Sequence, residues 1–192
     1  MRRTTNRIQV VLRLLAVTVL SLCIAGGAVS AIASQPTVGS AAPNFTLDTL
    51  DGKSVSLDSF TAESPVVLLV LRGWPGYQCP LCTKQVHKFV ERAKVFRKRG
   101  ARIVMIYPGP ADQLQAHAQE FLADKSWPTD FVFLVDPAFV FTVAYGLRWE
   151  AADETAFPSM FVIERGGQIV FAKISKDHGG RGTPEEALAA LP

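Results

Sequence analysis

The sequence predicts an α/β domain, a central mixed β-sheet flanked by helices and entered through an N-terminal β-hairpin. Two apolar, β-branched runs, Pro65 to Leu71 and Ile103 to Tyr107, are separated by one amphipathic segment of helical length, the pattern of a β-α-β unit with strands buried on both faces. Asp51-Gly52 lies between two alternating stretches, and Gly166-Gly167 lies between two further apolar runs; both are hairpin signals. Parallel pairing in the middle and antiparallel hairpins at the ends make a mixed sheet.

The elements follow in chain order. Phe45-Thr46-Leu47 is expected to pair with Val55-Ser56-Leu57 across Asp51-Gly52. Pro65 to Leu71 forms the first buried strand, and Gly73 to Gln78 a loop rich in Gly, Pro and aromatics. A helix runs from about Pro80 to Arg99 with Val86, Phe89, Val90 and Ala93 along one face, and Gly100 stops it. Ile103 to Tyr107 is the next strand, and Ala111 to Ala123 a second helix carrying Leu114, Ala118, Phe121 and Leu122. Phe131 to Val135 is a strand ended by Asp136-Pro137, with a short helix over Phe139 to Tyr145. Met160 to Ile163 and Ile169 to Ala172 make the second hairpin. Pro184 to Leu191 closes the chain as a helix, with Thr183 as N-cap and Pro184 at the first helical position.

The 192 residues suit one domain and a leader, and a hydrophobic content of 48% allows a substantial core. The formal charge of +3 is misleading. Arg2, Arg3, Arg7 and Arg13 are the only charges before Asp48, so the remainder carries −1 and gives no footprint for a nucleic-acid partner. Those arginines precede an uninterrupted apolar run from Leu14 to about Gly27 and a small-residue segment ending in Ala31-Ile32-Ala33, an A-x-A cleavage pattern. Residues 1–33 therefore read as a signal peptide or a membrane anchor, 34–42 as a linker and 43–192 as the domain. Either form of the leader places the domain outside the cytoplasm, periplasmic or tethered to the membrane through the N-terminal segment. Leu22, bulky before Cys23, does not suit a lipidation site.

With Cys23 in the leader, two cysteines remain, three apart: Trp74-Pro75-Gly76-Tyr77-Gln78-Cys79-Pro80-Leu81-Cys82-Thr83. So tight a pair closes almost no loop and is a poor structural staple. It follows a buried strand and opens a helix, the context in which C-x-x-C is redox-active. Cys79 at the N-cap and Cys82 a turn further in bring their Cβ atoms to about 5–6 Å. The free amides and dipole of a helix N-terminus lower a thiol pKa from about 8.5 towards roughly 3.5–7.5. Structural zinc needs four ligands, and there is no second cysteine pair to complete a site.

From about Val38 to Ile174 the chain resembles the alkyl hydroperoxide reductase C/thiol-specific antioxidant group, peroxiredoxin-like redoxins of the thioredoxin superfamily. Val38 to Phe60 is similar to that group's N-terminal hairpin, and Pro75, Cys79 and Cys82 fall on its Pro-x-x-x-Thr/Ser-x-x-Cys pattern, with Cys79 where Thr or Ser is usual. The resemblance implies a thioredoxin-like fold and a thiol-dependent oxidoreductase with no cofactor and no metal. It implies a peroxide or a protein disulfide as substrate and a thiol reductant such as a thioredoxin-like protein. As a peroxiredoxin, Cys82 attacks peroxide and Cys79 resolves; as a thioredoxin-type dithiol, Cys79 is the exposed nucleophile and Cys82 the buried resolver. Pro158, in Phe157-Pro158-Ser159-Met160-Phe161, matches the place of the superfamily's cis-proline facing the cysteines, where peroxiredoxins usually carry an arginine. Pro158, Pro75 and Trp74 are thus the candidate substrate-binding residues.

Arg72, at the end of the strand feeding the motif, is a candidate for the missing cation. An alternative from another class is a copper metallochaperone on the same fold, with soft thiolates and His178 as ligands. That family separates its cysteines by three residues, whereas two lie between Cys79 and Cys82. His87 and His117 fall on helices and need no special role, and Trp74 and Tyr77 shape the rim of the site.

Overall fold

The computed structural model describes residues 34–123 and 126–192, so the leader expected over residues 1–33 lies outside the described residues. Among the described residues no helix is long and apolar enough to cross a membrane. Seven strands, β1 (Thr46–Thr49), β2 (Ser54–Ser56), β3 (Val66–Val70), β4 (Arg102–Gly109), β5 (Phe131–Pro137), β6 (Ser159–Ile163) and β7 (Ile169–Ile174), form one sheet in the order β2-β1-β5-β4-β3-β6-β7. β3, β4 and β5 run parallel at its centre, with Val66 to Val70 paired to Arg102 to Ile106 in register. β1–β2 and β6–β7 flank them as antiparallel hairpins.

Strand alternation divides the core into two layers. Val67, Leu69, Ile103, Met105, Tyr107 and Phe133 face one side, where α2 (Pro80–Glu91), α3 (Ala93–Lys98), α4 (Leu114–Leu122) and α6 (Pro184–Ala190) cover them with Val86, Phe89, Phe96, Phe121 and Ala187. Val66, Leu68, Val70, Val104 and Ile106 face the other, under Leu57 and Phe60 of α1 (Leu57–Thr61) and Phe141 of α5 (Val140–Ala144). All five residues of β3 are fully buried, as a strand covered on both faces must be. The expected thioredoxin-like α/β architecture is the one observed.

Three local features differ from the sequence expectation. Leu57 ends the first hairpin only in part: Ser56 Oγ accepts a bond from Ser59 N and caps α1, a helix that five residues were too few to signal. The helix expected over Pro80 to Arg99 breaks at Arg92, whose φ of −97° and ψ of 3° tighten the turn between α2 and α3. The segment expected as a linker is bound to the hairpin opposite. Gly39 N donates to Ile169 O at 2.8 Å, Ile169 N to Ser40 O at 3.0 Å and Ala42 N to Gly167 O at 2.8 Å.

The terminal helix matches its signals. Thr183 Oγ1 accepts from Glu186 N, and the Glu186 carboxylate accepts from Thr183 N at 2.9 Å, a capping box beginning at Pro184. The topology decides what meets what around the cysteine motif. The C-terminal end of β3, the N-terminal end of β6 and the C-terminal end of β7 share one edge, since Val70 pairs with Ser159 and Ser159 with Ile174. The cysteine loop after β3 and the loop after β7 therefore emerge side by side.

Candidate active site

The chain leaves β3 through Leu71 and Arg72 and turns at Gly73, where φ is +66°. A Cβ at Gly73 would overlap the Pro108 carbonyl, which accepts a bond from Trp74 N at 2.9 Å, so this close approach of two backbones requires glycine. The loop ends at Cys79, the N-cap of α2, and Pro80 stands at the first helical position, where its missing N–H costs no intrahelical bond. Cys79 Sγ accepts from Cys82 N at 3.3 Å, so the thiol itself caps the helix.

Both sulfurs lie deeper than a cap position suggests: Cys79 is 3% exposed and Cys82 fully buried. Their surroundings push the two thiols apart. The hydrogen bond from the Cys82 thiol, then the Cys82 amide and the charges of Arg181 and Arg72, outweigh burial and hold Cys79 down to about 5. Burial, followed by the proton Cys82 shares with Cys79, pushes Cys82 well above the ordinary thiol range despite Arg181. The surroundings thus favour the anion on Cys79 and the proton on Cys82.

The cation is Arg181. It reaches in from the loop after β7, with Nη2 at 3.8 Å from Cys79 Sγ and Nη1 at 3.6 Å from Cys82 Sγ. Gln85, a turn beyond Cys82 on α2, holds it there: Gln85 Oε1 accepts from Arg181 Nη1 at 3.1 Å, and Gln85 Nε2 donates to Gly182 O at 3.1 Å. Arg181 Nε donates back to His178 O at 2.9 Å, which closes the loop on itself. Nothing in the local sequence distinguishes Arg181 from a surface arginine; the signal is topological, from the antiparallel return of β7.

Arg72 has a different task. Its buried guanidinium donates to Glu154 Oε2, Tyr77 OH and Asp153 O, each at 2.6 Å. It lies 5.1 Å from the centre of the Tyr77 ring. Burial disfavours its charge, but these partners more than restore it. Glu154 is held below the usual carboxylate range, burial notwithstanding, by bonds from Arg72 and His178. Arg72 thus contributes to the field at Cys79 from a distance, while Arg181 makes the contact.

The other candidates are placed as follows. The Trp74 ring stacks on His117, with centroids 3.6 Å apart and planes 8° from parallel, so it walls the motif loop. Pro75 is half-buried in the same loop, and Tyr77 is exposed at the rim. Pro158 is buried one step beyond the Val70–Ser159 pair, at the sheet edge that carries the cysteine motif. The Phe157–Pro158 bond is trans, which corrects the cis expectation. Trans is the intrinsic preference of X–Pro bonds, and hydrogen bonds from Phe157 N to Leu147 O and from Ser175 N to Pro158 O, both 2.9 Å, fix the strand entry in that form. His178 Nε2 meets Glu154 Oε1 at 2.7 Å rather than turning to the sulfurs. Among the described residues no group of three His, Cys, Asp or Glu side chains is placed to hold a metal ion, so the donor set of the copper alternative is not assembled.

Comparison with known proteins agrees with this geometry. The Redoxin family model matches residues 37–191. The chloroplastic peroxiredoxin Q of Oryza sativa subsp. indica is 30% identical over 133 residues, 69% of this chain, and the match spans 57% of that relative's length. A provisionally named peroxiredoxin of Mycobacterium tuberculosis (strain CDC 1551 / Oshkosh) is 30% identical over 142 residues, covering 71% of this chain and 84% of the relative. Among solved structures, a provisionally named thiol:disulfide interchange protein DsbE from Chlorobium tepidum is 25% identical with a TM-score of 0.58, covering 81% of this chain and 99% of that one. By this match, and with a helix-capping thiolate under an arginine, the chain belongs to the Redoxin family as a peroxiredoxin-like protein of the thioredoxin superfamily.

Proposed function

We propose that this protein is a thiol-dependent peroxidase in which Cys79 is the sulfur that is oxidised and Cys82 the one that resolves it. The observation that carries the reading is the placement of Cys79 Sγ, which caps α2 by accepting from Cys82 N at 3.3 Å with Arg181 Nη2 3.8 Å away, surroundings that lower Cys79 to about 5 while burial raises Cys82. The thiolate is the nucleophile, and Cys79 is the thiolate. Its sulfur attacks the distal oxygen of a peroxide ROOH; an S–O bond forms, the O–O bond breaks, and RO⁻ takes a proton from solvent to leave as ROH. Arg181, permanently charged, stabilises the negative charge that moves from sulfur to the leaving oxygen. The Cys82 thiol then condenses with the Cys79 sulfenic acid, forming the disulfide and releasing water. A thiol reductant returns the pair to the dithiol with two electrons.

This ordering inverts the roles that the Pro75-x-x-x-Cys79-x-x-Cys82 pattern implies. The pattern puts the attacking sulfur at Cys82, which is fully buried and holds its proton. Dithiol–disulfide exchange is the second reading, favoured by the cap position of Cys79 and by the similarity to the interchange protein. It uses the same first nucleophile. Within either reading we propose that the chain is exported and acts outside the cytoplasm, a proposal that rests on the leader pattern of residues 1–33. N-terminal sequencing beginning near Ser34 is the expected result.

The test is a pair of single substitutions with the rate of hydrogen peroxide consumption as readout. Cys82→Ser should still be oxidised by peroxide, accumulating a Cys79 sulfenic acid that a nucleophilic probe captures. Cys79→Ser should lose about a hundredfold or more in rate, as expected when a catalytic thiolate is replaced by a protonated, buried thiol. A Cys79→Ser protein that reacts as fast as the parent would reverse the assignment. Slow peroxide reaction by the parent, with fast reduction of a protein disulfide, would select exchange.

A further inference from the structure

A cavity of about 310 Å³ lies between α2 and the loop after β7, within the size range of small-molecule sites. Lys84 and Lys88, a turn apart on α2, line one side; His178, Arg181 and the surrounding glycines line the other. No carboxylate lines it. Among the described residues Lys84 and Lys88 make no ion pair, and the acids nearest in sequence are engaged elsewhere, Glu91 with His87 and Glu185 with Arg92. Arg181 closes the inner end, its guanidinium on both sulfurs and its other bonds to the neutral Gln85 Oε1 and His178 O. Lys84 and Lys88, which have no ion-pair partner, thus share one concavity with Arg181, and Arg181 links it to the two sulfurs.

We propose that this cavity admits the reductant, a small thiol bearing one or more carboxylates. The inference rests on the redox reading above and names the substrate class of its second half-reaction. Charge selects the order of events. In the dithiol state Arg181 faces a thiolate. When the disulfide forms that anion is gone, and Arg181 joins Lys84 and Lys88 as an unpaired cation. The oxidised protein therefore attracts an anion more strongly than the reduced one and releases it once reduction restores the thiolate, reciprocal coupling of the kind linkage requires. The carboxylates lie along the lysines, and the thiolate RS⁻ attacks Cys79 Sγ, on the less deeply buried residue of the pair. The Cys79–Cys82 bond breaks, Cys82 leaves and takes a proton, and a mixed disulfide forms on Cys79. A second RSH resolves it, so two RSH become RSSR and the protein regains both thiols.

The experiment follows reduction of the oxidised full-length protein by thiol titration, with mercaptosuccinate as the anionic probe and 2-mercaptoethanol as the neutral one. Taking the ratio of their rate constants cancels effects common to all thiols. In the Lys84→Gln/Lys88→Gln protein the ratio should fall about tenfold, the scale of electrostatic steering at a charged cleft, and added salt should lower it in the parent. Both lysines are exposed, so the variant keeps its fold. A ratio that moves less than about twofold overturns the proposal, as does an equal fall for both thiols. If the disulfide forms and 2-mercaptoethanol reduces it while the ratio stays put, only the cavity assignment fails; if peroxide produces no disulfide, the redox reading fails with it.

Discussion

The Glu154 carboxylate meets the His178 imidazole at 2.7 Å, joining the segment before β6 to the loop after β7. The other oxygen of Glu154 holds Arg72, so one largely buried carboxylate binds both the strand end that launches the cysteine motif and the loop that brings Arg181 to it. Two segments remote in sequence are thereby fixed in one arrangement around the sulfurs.

Loosening that arrangement should be felt at Cys79. In His178→Ala the loop keeps Arg181 but loses its tie to Glu154. The pH profile of Cys79 alkylation should then shift upwards by less than about one unit. A purely structural role for His178 would lower the melting temperature and leave the profile in place.

Removing the cation itself should have the larger effect. Arg181→Met preserves side-chain length and apolar packing while deleting the charge beside both sulfurs. The Cys79 pKa should rise by about one unit, the scale of a nearby opposite charge. Peroxide reactivity should fall severalfold near pH 5 to 6, and a smaller deficit should persist at alkaline pH, where the missing charge no longer stabilises the leaving oxygen. Ultraviolet absorbance of the thiolate against pH measures the shift directly, and an unchanged titration would remove Arg181 from the account.

Folding stability should carry the same signature. Cys79 titrates near 5 when folded and near 8.5 when unfolded, so its stabilising contribution is fully present above about pH 8.5 and is lost as pH falls towards 5. Cys82, raised when folded, works the other way above about pH 8.5, where the unfolded thiol ionises and the folded one does not. The reduced protein should therefore gain stability relative to the disulfide form between about pH 5 and 8.5 and stop gaining beyond. Denaturant unfolding of both forms across this range tests the slope; a reduced form that loses ground as pH rises to 8 contradicts it.

Gly73→Ala should destabilise the protein by about 2–3 kcal/mol through the left-handed backbone and the collision with Pro108. Because Trp74 N bonds Pro108 O at that point, the motif loop should shift and peroxide reactivity fall as well. Chemical denaturation beside a peroxide assay reads both effects, and a loss within about 0.5 kcal/mol would show that the two backbones are not held together there.

Much of this was legible in the sequence because it is written in short-range patterns. The apolar runs of β3 and β4, the Asp51-Gly52 and Gly166-Gly167 turns and the Thr183-Pro184 helix start each depend on neighbours a few residues away. The cap role of Cys79 is of the same kind. Arg181, Gln85 and Glu154 were not legible, because the pairing of β3 with β6 and the side-chain bonds that define their roles join residues 82 or more apart in sequence. Arg72 illustrates the cost of reading locally. Its place beside the motif suggests the sulfur's partner, yet Glu154 and Asp153, out of sight in the sequence, claim it.

The strand of backbone bonds between residues 39–42 and the start of β7 has a consequence for how the domain behaves in isolation. β7 is the last strand of the sheet, and its free N–H and C=O groups would otherwise be a template for another chain. Gly39, Ser40 and Ala42 occupy part of that template, so the segment serves as a selvedge that keeps the sheet from fraying into a neighbour. Cleavage near residue 34 leaves the selvedge whole. A fragment cut at residue 43, tidy by the boundaries of the regular elements, would begin with its edge open and should self-associate where the longer form stays dispersed.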